Sequence, residues 1–245
     1  MLTYRDHLVR GLAAGGVSGL LAGLVGLVVV EVPIRAALAV EEARPVEPGA
    51  GGHEHGELVG RGVQVFGGVL AAVIVGVAVG ALFATAYAGS RRWFPDRSPF
   101  SRAVWLGAAA FGAAALLPAV KYPANPPAVG DPETVGYRTV LYLALIASGL
   151  LVAFGASWLA SRLGHWSPPL RTTAVALAVV AAVVLVLLLF PAAPDAIPED
   201  MPSGVLWDFR LASLAETATL WLGLGVVFGL LVDPAVRRAD RLSAV

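Results

Sequence analysis

Cysteine is absent from the 245-residue sequence. Disulfides, iron–sulfur clusters and thiolate zinc sites are therefore excluded, and the redox compartment stays open. Charge is scarce. Asp, Glu, Lys and Arg make up 14% of the chain, against about 25% in soluble domains. The formal net charge is +0, so nothing in the overall charge points to nucleic acid. No stretch alternates apolar and polar residues with period two, which excludes a membrane β-barrel. There is no long polar tail to make a separate soluble domain. Catalytic signatures are missing too. The sequence has no G-x-S-x-G elbow, no phosphate-binding loop and no dinucleotide fingerprint. An enzyme is therefore not expected, and uphill transport would need an ion gradient or a partner.

Long apolar runs are what the sequence does have. Hydrophobic residues make up 58% of it, and a bilayer-crossing helix needs about 20 in succession. Six runs qualify, near 8–30, 63–88, 103–120, 140–160, 173–190 and 211–232. The expected fold class is all-α, a single polytopic helix bundle over residues 1–245. Placing both termini in the cytoplasm puts 11 of the 17 Lys and Arg in inner segments and only 4 of the 17 acids there. That is the asymmetry of a multi-pass plasma-membrane protein. The tryptophans cluster near predicted span ends, as an aromatic belt does. A cleaved first span followed by Ala37-Leu38-Ala39 would leave five spans, but the first run is far longer than a signal core.

Gly11, Gly15, Gly19 and Gly23 recur every fourth residue, and Gly76/Gly80 and Gly225/Gly229 share the spacing. Such faces let helix backbones approach closely, within one bundle or between subunits of a homo-oligomer.

The connection over 31–62 carries Glu41, Glu42, Glu47 and then His53-Glu54-His55-Gly56-Glu57. Neutral imidazoles with carboxylates on a glycine-rich segment suit a borderline divalent cation held transiently as substrate. The spacing is not that of zinc proteases. Glu216 is the one acid well inside an apolar run, where charge is costly and usually functional. Glu31, beside Arg35 at the end of the first run, reads as an ordinary interfacial group. The proline-rich 121–132 segment reads as a stiff cap between spans three and four. Polar side chains within the spans are few: Gln64, Thr85, Ser148, Ser157, Thr217 and Thr219 accompany Glu216.

Together these motifs resemble one family. The glycine-rich first span, E-E-A at 41–43, H-E-H-G at 53–56, K-Y-P-A-N-P-P-A-V-G-D-P at 121–132 and A-S-L-A-E-T-A-T at 212–219 are similar to the cobalt transporter subunit family CbtA. The resemblance implies a bacterial inner-membrane protein serving cobalt uptake for cobalamin synthesis. It also implies a partner, a small single-span histidine-rich subunit called CbtB. The candidate metal-contacting residues are His53, His55, Glu41, Glu42, Glu54, Glu57 and Glu216. That family is often described with five spans, whereas this sequence has six candidate runs. The competing expectation is a non-transporting scaffold or assembly subunit whose glycine faces hold partner helices.

Overall fold

The computed structural model describes residues 2–44, 60–90, 97–193 and 196–242. Among these residues there is no strand. Six helices are long and apolar enough to cross a membrane: α1 Tyr4–Glu42, α2 Arg61–Gly89, α3 Pro99–Lys121, α4 Pro132–Arg162, α5 Pro168–Leu189 and α6 Ser203–Leu242. The protein is a multi-pass membrane protein. The start of α1 lies beside the later part of α6, with Arg10 Nε donating to the Leu231 carbonyl and Leu2 packed on the cluster that holds Val232; this end is termed proximal here. The other end is termed distal.

Local chemistry sets the helix starts. Thr3 and Asp6 form a capping box, with Asp6 N donating to Thr3 Oγ1 at 3.2 Å and Thr3 N donating to Asp6 Oδ2 at 2.9 Å. Two of the orphan amides that every helix start exposes are thereby satisfied. At α3, Ser98 Oγ accepts from Ser101 N, and Pro99 occupies a position that needs no donor.

The helices do not pack in chain order. Contacts run α2–α1–α6–α3–α4–α5, so α6 is held between α1 and α3 in the middle of the order. The α1–α2 seam is the glycine ladder. A Cβ on Gly15 would collide with the Gly76 carbonyl, and one on Gly23 would lie 3.1 Å from Val69 Cα. The α3–α6 seam repeats the device, because a Cβ on Gly107 would lie 2.8 Å from the Trp221 carbonyl oxygen. The ladder therefore serves packing within the chain. Near the proximal end Phe83, Tyr87 and Phe228 form an aromatic core, with Tyr87 and Phe228 rings 4.8 Å apart. Helix α5 packs chiefly on α4 and buries none of its residues, as suits a span surrounded mostly by lipid.

Helices α1 and α6 outrun the bilayer. At about 1.5 Å per residue, the 39 residues of α1 extend about 58 Å, against a hydrocarbon core of about 30 Å. The segment from Glu31, read from sequence as one irregular connection, begins as the helix Glu31–Glu42. Pro33 would normally break an α-helical ladder. Here a π-helical turn, Gly26–Val30, precedes it, with Glu31 N donating to Gly26 O. Helix α3 uses the same arrangement, with the π-turn Gly112–Leu116 just before Pro118. Wide turns of this kind absorb a local change in the hydrogen-bond ladder and recur at functional sites.

The distal ends meet in a small cap. Ala37, Val129 and Met201 are buried together. Arg44 clamps Asp200 bidentately, Nε to Oδ2 at 2.7 Å and Nη2 to Oδ1 at 3.1 Å, and its Nη1 donates to the Ala128 carbonyl. The proline-rich segment thus sits over the bundle between the extensions of α1 and α6. Gly130 there has φ +111°, and a Cβ would stand 2.8 Å from Arg138 Nη1.

Candidate functional site

Carboxylates inside spans are the first place to look, because each costs about 2.5–3.5 kcal/mol at a span centre unless something offsets it. Among the described residues two acids stand out on the packed pair α1 and α6. Glu31 follows the π-turn of α1, and Glu216 lies on α6 facing that turn. Both line one cavity of about 230 Å³, together with Arg61 and Gln64 from the first turn of α2.

Their surroundings differ sharply. Glu31 is 8% exposed and fully partnered. It accepts from Arg35 Nε at 2.8 Å, from Arg61 Nε at 3.0 Å and from Arg61 Nη2 at 2.7 Å. Arg61 also donates to Gln64 Oε1 at 3.0 Å. Glu216 is half-buried and makes no hydrogen bond or ion pair to a described residue. Its carboxylate sits against the α1 backbone, where Gly26 leaves room. A Cβ there would lie 3.0 Å from Glu216 Oε1. Two carboxylates and two guanidiniums therefore balance in charge, but unevenly: Glu31 holds both cations and Glu216 holds none.

The other intramembrane polar groups mostly turn inward on their own helices. Thr85, Ser148, Ser157, Thr217 and Thr219 each donate to the carbonyl four residues earlier. That leaves them little capacity for a passing ion, whereas Gln64 and Glu216 both line the cavity. Ser18, fully buried on α1, has an Oγ without a hydrogen-bond partner among the described residues; it faces Gly223 of α6, where a Cβ would lie 3.4 Å from it.

Of the residues expected from sequence, Glu216 is in this cavity. Glu41 and Glu42 are exposed at the tip of α1, about 15 Å along the helix from Glu31. His53, Glu54, His55 and Glu57 lie outside the described residues. No group of three or more His, Asp or Glu side chains is poised to hold a metal among the described residues. Sequence reading passed over Gly26, Glu31 and Arg61 as site residues. The available signal was the Gly26–Pro33 spacing, which demands an irregular turn beside an acid.

Outside the spans, the Arg44 guanidinium beside Asp200 holds that carboxyl below the usual carboxylate range, and Asp200 raises Arg44 in turn. Burial raises the Tyr122 hydroxyl, which donates to the Pro191 carbonyl at 2.9 Å.

The family model for CbtA, described as "Probable cobalt transporter subunit (CbtA)", matches residues 4–233. The chain belongs to the CbtA family. The match takes in all six helices up to Asp233. CbtA proteins are described as subunits, which implies a partner. Comparison with curated proteins and with solved structures gave no match.

Proposed function

We propose that this chain is the membrane-embedded subunit of a divalent-cation uptake system with cobalt as its substrate. It resides in the bacterial plasma membrane with both termini in the cytoplasm. The segment bearing Glu41, Glu42, His53, Glu54, His55 and Glu57 captures the ion at the outer face, and Glu216 receives it within the bundle. The partner is a small single-span, histidine-rich subunit of the CbtB type. One observation carries this reading: the Glu216 carboxylate faces a cavity between α1, α2 and α6 that also holds Glu31, Arg61 and Gln64, and it pairs with no cation among the described residues. A scaffold gains nothing from such a group, since an unpaired carboxylate within a span costs stability.

The capture step follows from ligand chemistry. Carboxylates attract a cation at long range, and neutral imidazoles select borderline metals such as cobalt over magnesium or calcium. A weak, open site also suits transport, because a closed four-ligand cage would not release its ion.

The test is cobalt uptake by the purified chain in liposomes, with and without the single-span partner. Glu216→Gln should cut uptake at least about tenfold, the rate change expected for about 1.4 kcal/mol. Wild-type uptake by that variant would refute the role of Glu216. If no uptake occurs even with the partner present, the scaffold reading takes its place.

A further inference from the structure

The cavity that holds Glu216 also contains a protein cation, and it is on the other carboxylate. We propose that Arg61 is a tethered counter-cation: it occupies Glu31 in the empty protein and releases it when a divalent ion binds between Glu31 and Glu216. This inference rests on the reading of Glu216 as the ion-receiving group.

Charge balance is the first argument. With both guanidiniums on Glu31, an ion entering the cavity meets the single uncompensated charge of Glu216 and a nearby positive Arg61. A divalent ion held that way leaves net positive charge in a low-dielectric space, which is costly. With Arg61 withdrawn, two carboxylates match one divalent ion. Gln64 Oε1, which now accepts from Arg61 Nη1, becomes available as a neutral oxygen ligand.

Placement is the second argument. Arg61 is the first residue of α2, with a side chain 34% exposed, so water is close at hand for a withdrawn guanidinium. Among the described residues nothing crowds its anchor, since a Cβ added at Gly60 or Gly62 would meet none of their atoms within 4 Å. Glu31 cannot follow, because its side chain is 10% exposed and fixed on α1 just after the π-turn. Arg35 differs from Arg61 in one decisive respect. It also bonds Glu31, but its side chain is 69% exposed, so solvent screens its charge.

The experiment measures cobalt binding to the full-length detergent-solubilised chain in a His53→Ala/His55→Ala background, which removes the two imidazoles proposed to capture the ion. Arg61→Gln should tighten binding at least about tenfold, from the lost repulsion and the freed carboxylate. Its thermal stability should fall without cobalt and recover with cobalt more than the parent's does. Arg61→Lys keeps the charge and should bind within about threefold of the parent, as should Arg35→Gln. Glu31→Gln should weaken binding, because Arg61 is then free to pair with Glu216. The proposal is overturned if folded Arg61→Gln binds no tighter than its parent, or if Glu31→Gln leaves binding unchanged. Should Arg61→Gln fail to fold, Glu31→Gln decides by itself. A parent in which Glu216→Gln does not reduce binding overturns the underlying reading instead.

Discussion

The Glu216 carboxylate lies against the backbone of Gly26, close enough that a Cβ at Gly26 would stand 3.0 Å from Oε1. The acid of α6 is thus seated in a notch made by the π-turn of α1. That notch joins two features that look unrelated along the chain, a glycine before a proline and an acid in the last span. It also turns the position of Gly26 into a measurable quantity.

Gly26→Val should push the Glu216 side chain out of its seat. The carboxylate is the flexible end of a long side chain, so it yields before the backbone does. The expected outcome is a folded protein, destabilised by about 1–3 kcal/mol as for other overpacked sites, with cobalt uptake reduced toward that of Glu216→Gln. Uptake equal to wild type would show that the seat is unimportant.

Gly15→Leu should be far more damaging to the fold. Here the obstructing atoms are backbone, the Gly76 carbonyl and Gly80 Cα, and neither can rotate away. The α1–α2 seam must open, so thermal stability in detergent should fall sharply or expression should be lost. A branched side chain at Gly62, which has open space around it, serves as the control and should be tolerated.

His53→Ala with His55→Ala should reduce cobalt capture at low metal concentration. Capture by the unaltered chain should also weaken as pH falls through about 6.5, because a protonated imidazole cannot ligate. Cobalt binding followed from pH 7.5 to 5.5 tests both. Loss of binding with uptake preserved at high metal would mark the segment as a concentrator that lies outside the permeation route.

Topology is directly accessible. Reporter fusions in the 91–96 segment and after the C-terminus should both report the cytoplasm, as the bias of basic residues requires. A periplasmic C-terminus would overturn the orientation and place the Glu31–Arg61 cavity on the other side of the membrane.

The Arg44–Asp200 clamp has a defined pH window. Because Arg44 lowers the Asp200 carboxyl from its ordinary 3.8, the contribution of the pair is present above that value and lost as pH falls through the lower folded value. Amide protection around Met201 should therefore be higher in wild type than in Asp200→Asn at neutral pH. The two should converge in strong acid. A constant difference down to pH 2 would assign the protection to the Ala37–Val129–Met201 contacts alone.

Much of this protein follows from the chain read by itself. Six apolar runs and scarce charge determine a helical membrane protein, because lipid offers backbone groups no other partners. Glycine at every fourth position marks the face of α1 that must be approached closely. Glu216 is conspicuous for the same reason, an acid where apolar residues are the rule. Other features were out of reach of any one-dimensional reading. Pro33 argues for a helix end at Glu31, yet the π-turn carries α1 on to Glu42. Glu31 looks like a surface acid, yet α2 and α1 enclose it and deliver Arg61 from 30 residues away. The order α2–α1–α6–α3–α4–α5 arises from which small-residue faces fit, and many such pairings satisfy the same spacing. Whether an intramembrane charge is paired or free depends on groups that distant helices bring to it. Only the tertiary structure could therefore decide that Glu31 is held by arginines and that Glu216 is not.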